Sequence, residues 1–109
     1  MYDLTRNEEL ILLFIWKLKD NAYGVSIREC FKRVSGKTLN YGSLYNTLYL
    51  LVRRGFVRSR ESETLPKQGG RRKILYSLTP EGVKALQKAQ KIQQLAWGDV
   101  PDFVFEPDK

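Results

Sequence analysis

Asn40-Tyr41-Gly42-Ser43-Leu44-Tyr45-Asn46-Thr47-Leu48-Tyr49-Leu50-Leu51-Val52-Arg53-Arg54-Gly55 is the stretch on which the reading of this 109-residue chain turns. Asn40 is a helix-capping residue type, because its side-chain oxygen can accept a backbone donor that the first turn leaves unpaired. Leu44, Leu48, Leu51 and Val52 then recur as the inward stripe of a helix running to about Arg54, and Gly55 stops it. At about 100° per residue, the opposite side collects Gly42, Ser43, Asn46, Thr47, Tyr49, Leu50, Arg53 and Arg54, with Tyr41 and Tyr45 at the border. Such a face suits an ordinary solvated helix. It suits the reading of base edges equally well, since amides and hydroxyls donate and accept, Gly42 permits close approach, and arginines hold phosphate.

Downstream, Phe56-Val57-Arg58-Ser59-Arg60-Glu61-Ser62 and Arg72-Lys73-Ile74-Leu75-Tyr76-Ser77-Leu78 read as two short strands joined across Pro66-Lys67-Gln68-Gly69-Gly70. The hairpin tip is basic: Lys67, Arg71, Arg72 and Lys73 crowd beside Gly69 and Gly70, a concentration of charge that repels itself unless a polyanion is near. Eight of the nineteen basic residues fall within residues 53–73, against only Glu61 and Glu63. The charge is therefore uneven along the chain, −2 over residues 1–9, +4 over 10–40, +6 over 41–73, +2 over 74–94 and −3 over 95–109. A membrane surface would call for a basic amphipathic helix, and the basic stretch is not helical by pattern, so a phosphate-contacting wing is the better expectation.

Upstream, Thr5-Arg6-Asn7-Glu8 has the form of a capping box opening a helix to about Lys19. The apolar positions of this helix, residues 10–16 and Leu18, occupy nearly its whole circumference, whereas a helix on the outside of a monomer needs one stripe. Something else is expected to cover the second face. After the turn residues Asp20-Asn21-Ala22-Tyr23-Gly24, the positions Ile27, Cys30, Phe31 and Val34 mark a short amphipathic helix ended by Ser35-Gly36. Cys30 lies on that stripe and reads as a small core hydrophobe. Thr79-Pro80-Glu81 opens the last helix with a capping hydroxyl, a first-turn proline and an acid, and Val83, Ala85, Leu86, Ala89, Ile92, Leu95 and Ala96 form its apolar stripe down to Trp97-Gly98. Residues 99–109 are acidic and carry Pro101 and Pro107.

Composition restricts the function classes. At this length there is one core. A hydrophobic share of 42% and a charged share of 28% describe a folded chain with a solvated surface, and the seven-residue apolar run at 10–16 is far too short to span a bilayer. A cytoplasmic protein with no membrane association is expected. Without histidine, with the single Cys30, and with Glu29, Glu61, Glu63 and Glu81 scattered over different elements, no nucleophile, acid–base pair or metal cluster assembles, so neither an enzyme nor a cofactor is expected.

Helix, helix, helix, hairpin, helix makes a mainly α chain with a small β-hairpin, the layout of a winged helix-turn-helix domain followed by one further helix. In its wording the chain resembles the PadR family of bacterial transcriptional regulators. The resemblance rests on Ala22-Tyr23-Gly24, on Gly42-Ser43-Leu44-Tyr45-Asn46-Thr47-Leu48 leading to Leu51 and Arg54-Gly55-Phe56-Val57, on Gly69-Gly70-Arg71-Arg72-Lys73, and on Tyr76-Ser77-Leu78-Thr79-Pro80-Glu81-Gly82. These motifs keep order and spacing over residues 8–86.

The resemblance implies a homodimer on double-stranded DNA, commonly a repressor, with the third helix in the major groove, the wing on the adjacent backbone or minor groove, and the first and last helices at the dimer interface. It divides Leu44-Tyr45 into an inward leucine and a tyrosine that reaches the DNA backbone. It also implies that short members can bind small aromatic compounds between the terminal helices, where Trp16 and Trp97 lie, although large aromatics at helical spacing read first as interface core. Leu50 and Val52 depart from the polar or charged residues more frequent in the family, so Leu50 is expected either beneath the hairpin or against a thymine methyl.

The expected DNA contacts are thus Tyr41, Ser43, Tyr45, Asn46, Thr47, Tyr49 and Arg53 from the third helix, and Lys67, Gly69, Gly70, Arg71, Arg72 and Lys73 from the wing. The expected dimer contacts are Leu12, Trp16, Ala85, Ala89, Ile92, Leu95, Ala96 and Trp97. Residues 1–79 form the DNA-binding unit, 80–98 the dimerisation helix and 99–109 an acidic tail. The competing expectation is a winged-helix module that binds a protein and touches nucleic acid incidentally; the bare cationic wing tip argues against it.

Overall fold

The computed structural model describes residues 3–62 and 73–101. Helix α1 (Arg6–Leu18) begins where two side chains cap each other's backbone: the Glu8 N–H donates to Thr5 Oγ1 at 3.1 Å and the Thr5 N–H to Glu8 Oε1 at 2.8 Å. A 3-10 turn over Lys19–Asn21 leads to α2 (Gly24–Ser35), closed by Gly36 at φ +77°, a left-handed conformation that glycine adopts without a steric penalty. Helix α3 (Tyr41–Arg53) starts on Asn40, whose Oδ1 accepts the Ser43 N–H at 2.7 Å. Strands β1 (Val57–Glu61) and β2 (Ile74–Leu78) pair antiparallel from Val57 opposite Leu78 to Glu61 opposite Ile74. Helix α4 (Pro80–Trp97) opens with the Gly82 N–H donating to Thr79 Oγ1 at 3.0 Å and with proline at its first position. The elements fall where the sequence predicts them, β1 being one residue shorter at each end and β2 beginning at Ile74, after Lys73.

Three helical stripes meet in one core. Ile11, Leu12, Phe14 and Ile15 of α1 pack with Ile27, Cys30 and Phe31 of α2 and with Leu44, Leu48 and Leu51 of α3, while Ala22, Val57 and Tyr76 close it from the hairpin side. Phe14 and Phe31 meet edge to face, with ring centroids 5.9 Å apart. Each aliphatic or aromatic side chain so buried contributes about 1.5–3 kcal/mol against the entropy of ordering the chain. Cys30 sits in this core as a small hydrophobe, its sulfur accepting from Arg33 Nη2 at 3.3 Å.

Two polar cross-links set the angles between elements. Glu8, already committed to the α1 cap, also receives Arg54 Nη1 on its Oε2 at 3.1 Å, tying the start of α1 to the end of α3. Thr79 joins α4 to the α3–β1 connection, since its hydroxyl donates to the Gly55 carbonyl and its N–H donates to the Phe56 carbonyl at 3.1 Å. At the same joint a Cβ on Gly82 would collide with the Phe56 carbonyl oxygen, so only glycine lets α4 lie this close.

Three sequence expectations are corrected. Leu12 is fully buried in the protomer's own core and has no surface to offer a second copy, because the inner face of α1 is four residues wide and takes Leu12 with it. Val34 is 58% exposed, since the last turn of α2 runs past the edge of the core. Arg54 belongs to the ion pair with Glu8 and not to the outer face of α3.

Candidate nucleic-acid interface

With Leu44, Leu48 and Leu51 turned into the core, helical geometry forces the rest of α3 outward. Tyr41, Gly42, Ser43, Tyr45, Asn46, Tyr49, Leu50 and Arg53 are exposed and Thr47 is half-buried. The face is internally held. Tyr41 and Tyr45, one turn apart, stack with centroids 6.1 Å apart and planes 22° from parallel. Arg53 Nη1 donates to the Tyr49 hydroxyl at 2.9 Å, again across one turn, and the Thr47 hydroxyl donates back to the Ser43 carbonyl at 2.9 Å. Asn40 caps the helix end from which these side chains project. Among the described residues, the side chains of Ser43 and Asn46 have no hydrogen-bond partner, which leaves a hydroxyl and an amide available on an otherwise braced surface.

Tyr45 leans towards α2, so that a Cβ on Gly24 would collide with its hydroxyl. It also stands close to Tyr76 of β2, whose phenol is held above the ordinary tyrosine range, first by burial and then by the neighbouring Tyr45. The hairpin is fixed in the same neighbourhood. The Tyr76 N–H donates to the Ala22 carbonyl at 2.8 Å, and Lys73 Nζ lies 4.2 Å from the centroid of the Tyr23 ring. Lys73 is further tied to the opposite strand, its N–H donating to Ser62 Oγ at 2.9 Å and its carbonyl accepting the Ser62 N–H at 2.7 Å. Arg58 and Arg60 of β1 are exposed beside it. Of the expected wing contacts, Lys73 is placed at the loop-side end of the strand pair, just before β2; Lys67, Gly69, Gly70, Arg71 and Arg72 lie outside the described residues.

Leu50 is 42% exposed and lies on the outer face rather than beneath the hairpin, while Val52 packs against the core. Two residues of α2 and its cap that are not among the expected DNA contacts join this surface. Tyr23 carries the Lys73 ammonium, and Arg28 donates from Nε to the Leu39 carbonyl at 2.6 Å with its guanidinium 4.4 Å from the Tyr41 ring centroid. Neither follows from helical spacing, because both roles arise between elements.

The opposite flank is apolar. Trp16 is 53% exposed, Ile92 54% and Leu95 72%; Ala96 and Trp97 are exposed, and Ala85 and Ala89 are half-buried. Leu13, which the sequence reading did not single out, is exposed beside Trp16. A cleft of about 370 Å³ between α1 and α4 is lined by Leu13, Trp16, Leu78, Val83 and Leu86 with Glu9, Gln87 and Gln90 at its rim. Trp97 is not part of it; its indole N–H donates to Gln93 Oε1 at 3.2 Å farther along α4. Among the described residues there is no group of three or more acidic, cysteine or histidine side chains that could hold a metal ion, and no helix long and apolar enough to cross a membrane.

The arrangement has counterparts among known proteins. The family model for the transcriptional regulator PadR-like family matches residues 11–88. No curated protein matches the chain. Among solved structures, it is similar to a PadR family transcription regulator from hypervirulent Clostridium difficile R20291, at 28% identity and a TM-score of 0.73 over 89% of this chain and 96% of that one. It is similar also to RosR of H. salinarum, at 27% identity and a TM-score of 0.69 over 92% of this chain and 83% of that one. RosR is archaeal, so the likeness is not confined to bacteria. The family match covers most of the chain and runs from the core of α1 through the hairpin into α4, and on that ground the protein belongs to the PadR-like family of transcriptional regulators.

Proposed function

We propose that this protein is a sequence-specific repressor that binds an inverted-repeat operator as a homodimer, in the cytoplasm. Residues 1–79 form the DNA-binding unit and residues 80–98 the dimerisation helix, followed by an acidic tail at 99–109. Helix α3 enters the major groove, where Ser43 and Asn46 meet base edges and Thr47 lies within reach behind them; Tyr41, Tyr45, Tyr49 and Arg53 hold the flanking backbone. The wing, with Lys67, Gly69, Gly70, Arg71, Arg72 and Lys73, follows the adjacent backbone or minor groove and supplies affinity for any sequence.

The observation that carries this reading is the outer face of α3: small, polar and aromatic side chains, braced from within, on a helix whose other face is the core. A surface kept for solvation alone gains nothing from holding its tyrosines in stacks and its arginine on a phenol. The apolar flank of α1 and α4 supports the dimer. Exposed in a monomer, it would be an unusually large apolar patch, and a two-fold interface covers both copies of it at once. Trp16 then packs beneath the partner subunit, and the cleft beside it is filled by protein rather than by a small aromatic effector.

Selection of duplexes from a random pool by the purified chain tests the reading. The expected result is an enriched inverted repeat bound at least ~10³-fold more tightly than the starting pool at near-physiological salt. Binding without an enriched motif, or enrichment of a single asymmetric site, contradicts it, and the protein-binding module becomes the better description.

A further inference from the structure

We infer that Arg28, on α2, is a phosphate-binding residue of the DNA interface, held in position before DNA arrives. The inference rests on the DNA-binding reading above and extends it to a helix that the contacts of α3 and the wing do not include. In a helix-turn-helix pair the first helix crosses the DNA backbone while the second enters the groove. Here α2 is the first helix, and Arg28 is one of the residues that join it to the start of α3.

An arginine has five N–H donors and no acceptor. Arg28 uses one of them, Nε, on the Leu39 carbonyl at 2.6 Å, just before the α3 cap. Its guanidinium then lies against Tyr41, 4.4 Å from the ring centroid, and Tyr41 is itself stacked on Tyr45. The terminal nitrogens make no hydrogen bond or ion pair among the described residues, and the side chain is half-exposed at the rim of the α3 face. The planar fork is thus fixed at Nε and at one face, and its four terminal N–H groups are left open, two of them, one from each nitrogen, side by side in the geometry that matches two phosphate oxygens. A purely structural brace for the Leu39 carbonyl would need only the Nε donor.

The difference between brace and ligand is testable in the full-length chain. In Arg28→Gln the amide nitrogen falls where Nε stood, so the donor to Leu39 can be kept while the charge and the terminal nitrogens are lost. Binding is read by fluorescence anisotropy on the selected operator and on a random duplex of equal length, between about 50 and 200 mM salt. The expected result is a thermal midpoint close to the parent's and a plot of log K against log salt that is shallower by about 1 for each bound subunit. Operator and random duplex should lose affinity alike, because phosphate contacts carry no sequence information.

A folded Arg28→Gln protein with the parent's slope and affinity overturns the inference and leaves Arg28 a brace. Should the variant not fold, the parent decides. An arginine-specific dicarbonyl reagent, read by mass spectrometry, should modify Arg28 more slowly when duplex is bound, and an unchanged rate overturns the inference. A parent chain that binds no duplex overturns the DNA-binding reading as well, which distinguishes that failure from the failure of Arg28 alone.

Discussion

The outer face of α3 and the flank formed by α1 and α4 are both open to water, yet they are built in opposite ways. On and around the outer face of α3 the large side chains brace one another: Tyr41 on Tyr45 and Arg53 on Tyr49 within the helix, Arg28 of α2 on Tyr41, and Lys73 on Tyr23 beside it. On the flank, Leu13, Ile92 and Leu95 meet solvent with apolar area, and Trp16 remains 53% exposed although the Lys19 ammonium lies 4.2 Å from its ring centroid. A braced polar surface lowers the conformational entropy lost on binding, which suits a ligand recognised by geometry. An uncovered apolar surface gains by being removed from water whatever the exact fit, which suits a second copy of the same chain. The joint at Thr79 and Gly82 fixes the two surfaces relative to each other, so a dimer formed through the flank sets where its two α3 helices point.

The largest expected effect comes from breaking the apolar side. Trp16→Glu with Ile92→Glu replaces two side chains that are more than half exposed, so the protomer's core is untouched and its far-UV circular dichroism should persist. Sedimentation should give a monomer, and operator binding should be lost, since one half-site cannot hold the affinity of two. Retained operator binding by a monomer would dissolve the link between the two faces.

On the polar side, Asn46→Ala should reduce discrimination between operator and random duplex by about 1–3 kcal/mol in each half-site, the worth of a good bidentate amide contact with adenine. Competition titrations measure the ratio. A uniform loss with the ratio unchanged would move Asn46 from base reading to backbone positioning.

Gly82→Ala acts on the joint. The added Cβ meets the Phe56 carbonyl oxygen, a backbone atom that cannot step aside alone, so stability should fall by about 1–3 kcal/mol in chemical denaturation. Because α4 must shift to relieve the clash, operator affinity should fall further than random-DNA affinity. Parent-like stability would show that α4 is not held by this contact.

The smallest effect is alkaline. Burial and the neighbouring Tyr45 raise the Tyr76 phenol above its ordinary value, so the unfolded chain loses this proton first. The contribution is complete below the ordinary tyrosine value near 10 and declines as pH rises from there through the raised value in the folded state. Tyr76→Phe should therefore flatten the decline of stability above about pH 10 and leave neutral-pH titrations little changed; an unaltered alkaline decline assigns it to other groups.

Much of this architecture was readable along the chain, because capping and periodicity are local. Thr5 with Glu8, Asn40, Gly36 and Thr79-Pro80 mark helix ends through bonds within four residues of themselves, and the leucines of α3 declare its inward side. What escaped the sequence is where one element meets another. Periodicity says which side of a helix Leu12 and Val34 occupy but not how far a neighbour extends over that side; it buries the first and leaves the second in water. Arg54 lies at the end of α3 by spacing and turns away from its outer face only because Glu8, forty-six residues earlier, is there to receive it. Arg28 was invisible as a site for the same reason, since its partners Leu39 and Tyr41 lie across the turn that brings α2 to α3.

The central claim, that the polar face reads DNA twice over because the apolar flank pairs two copies, is tested most directly by a hydroxyl-radical footprint of the parent chain on its selected duplex, with stoichiometry measured on the same sample. The account predicts two chains per duplex and two symmetric protected half-sites about 10 base pairs apart, centre to centre. One chain on one asymmetric half-site would contradict it.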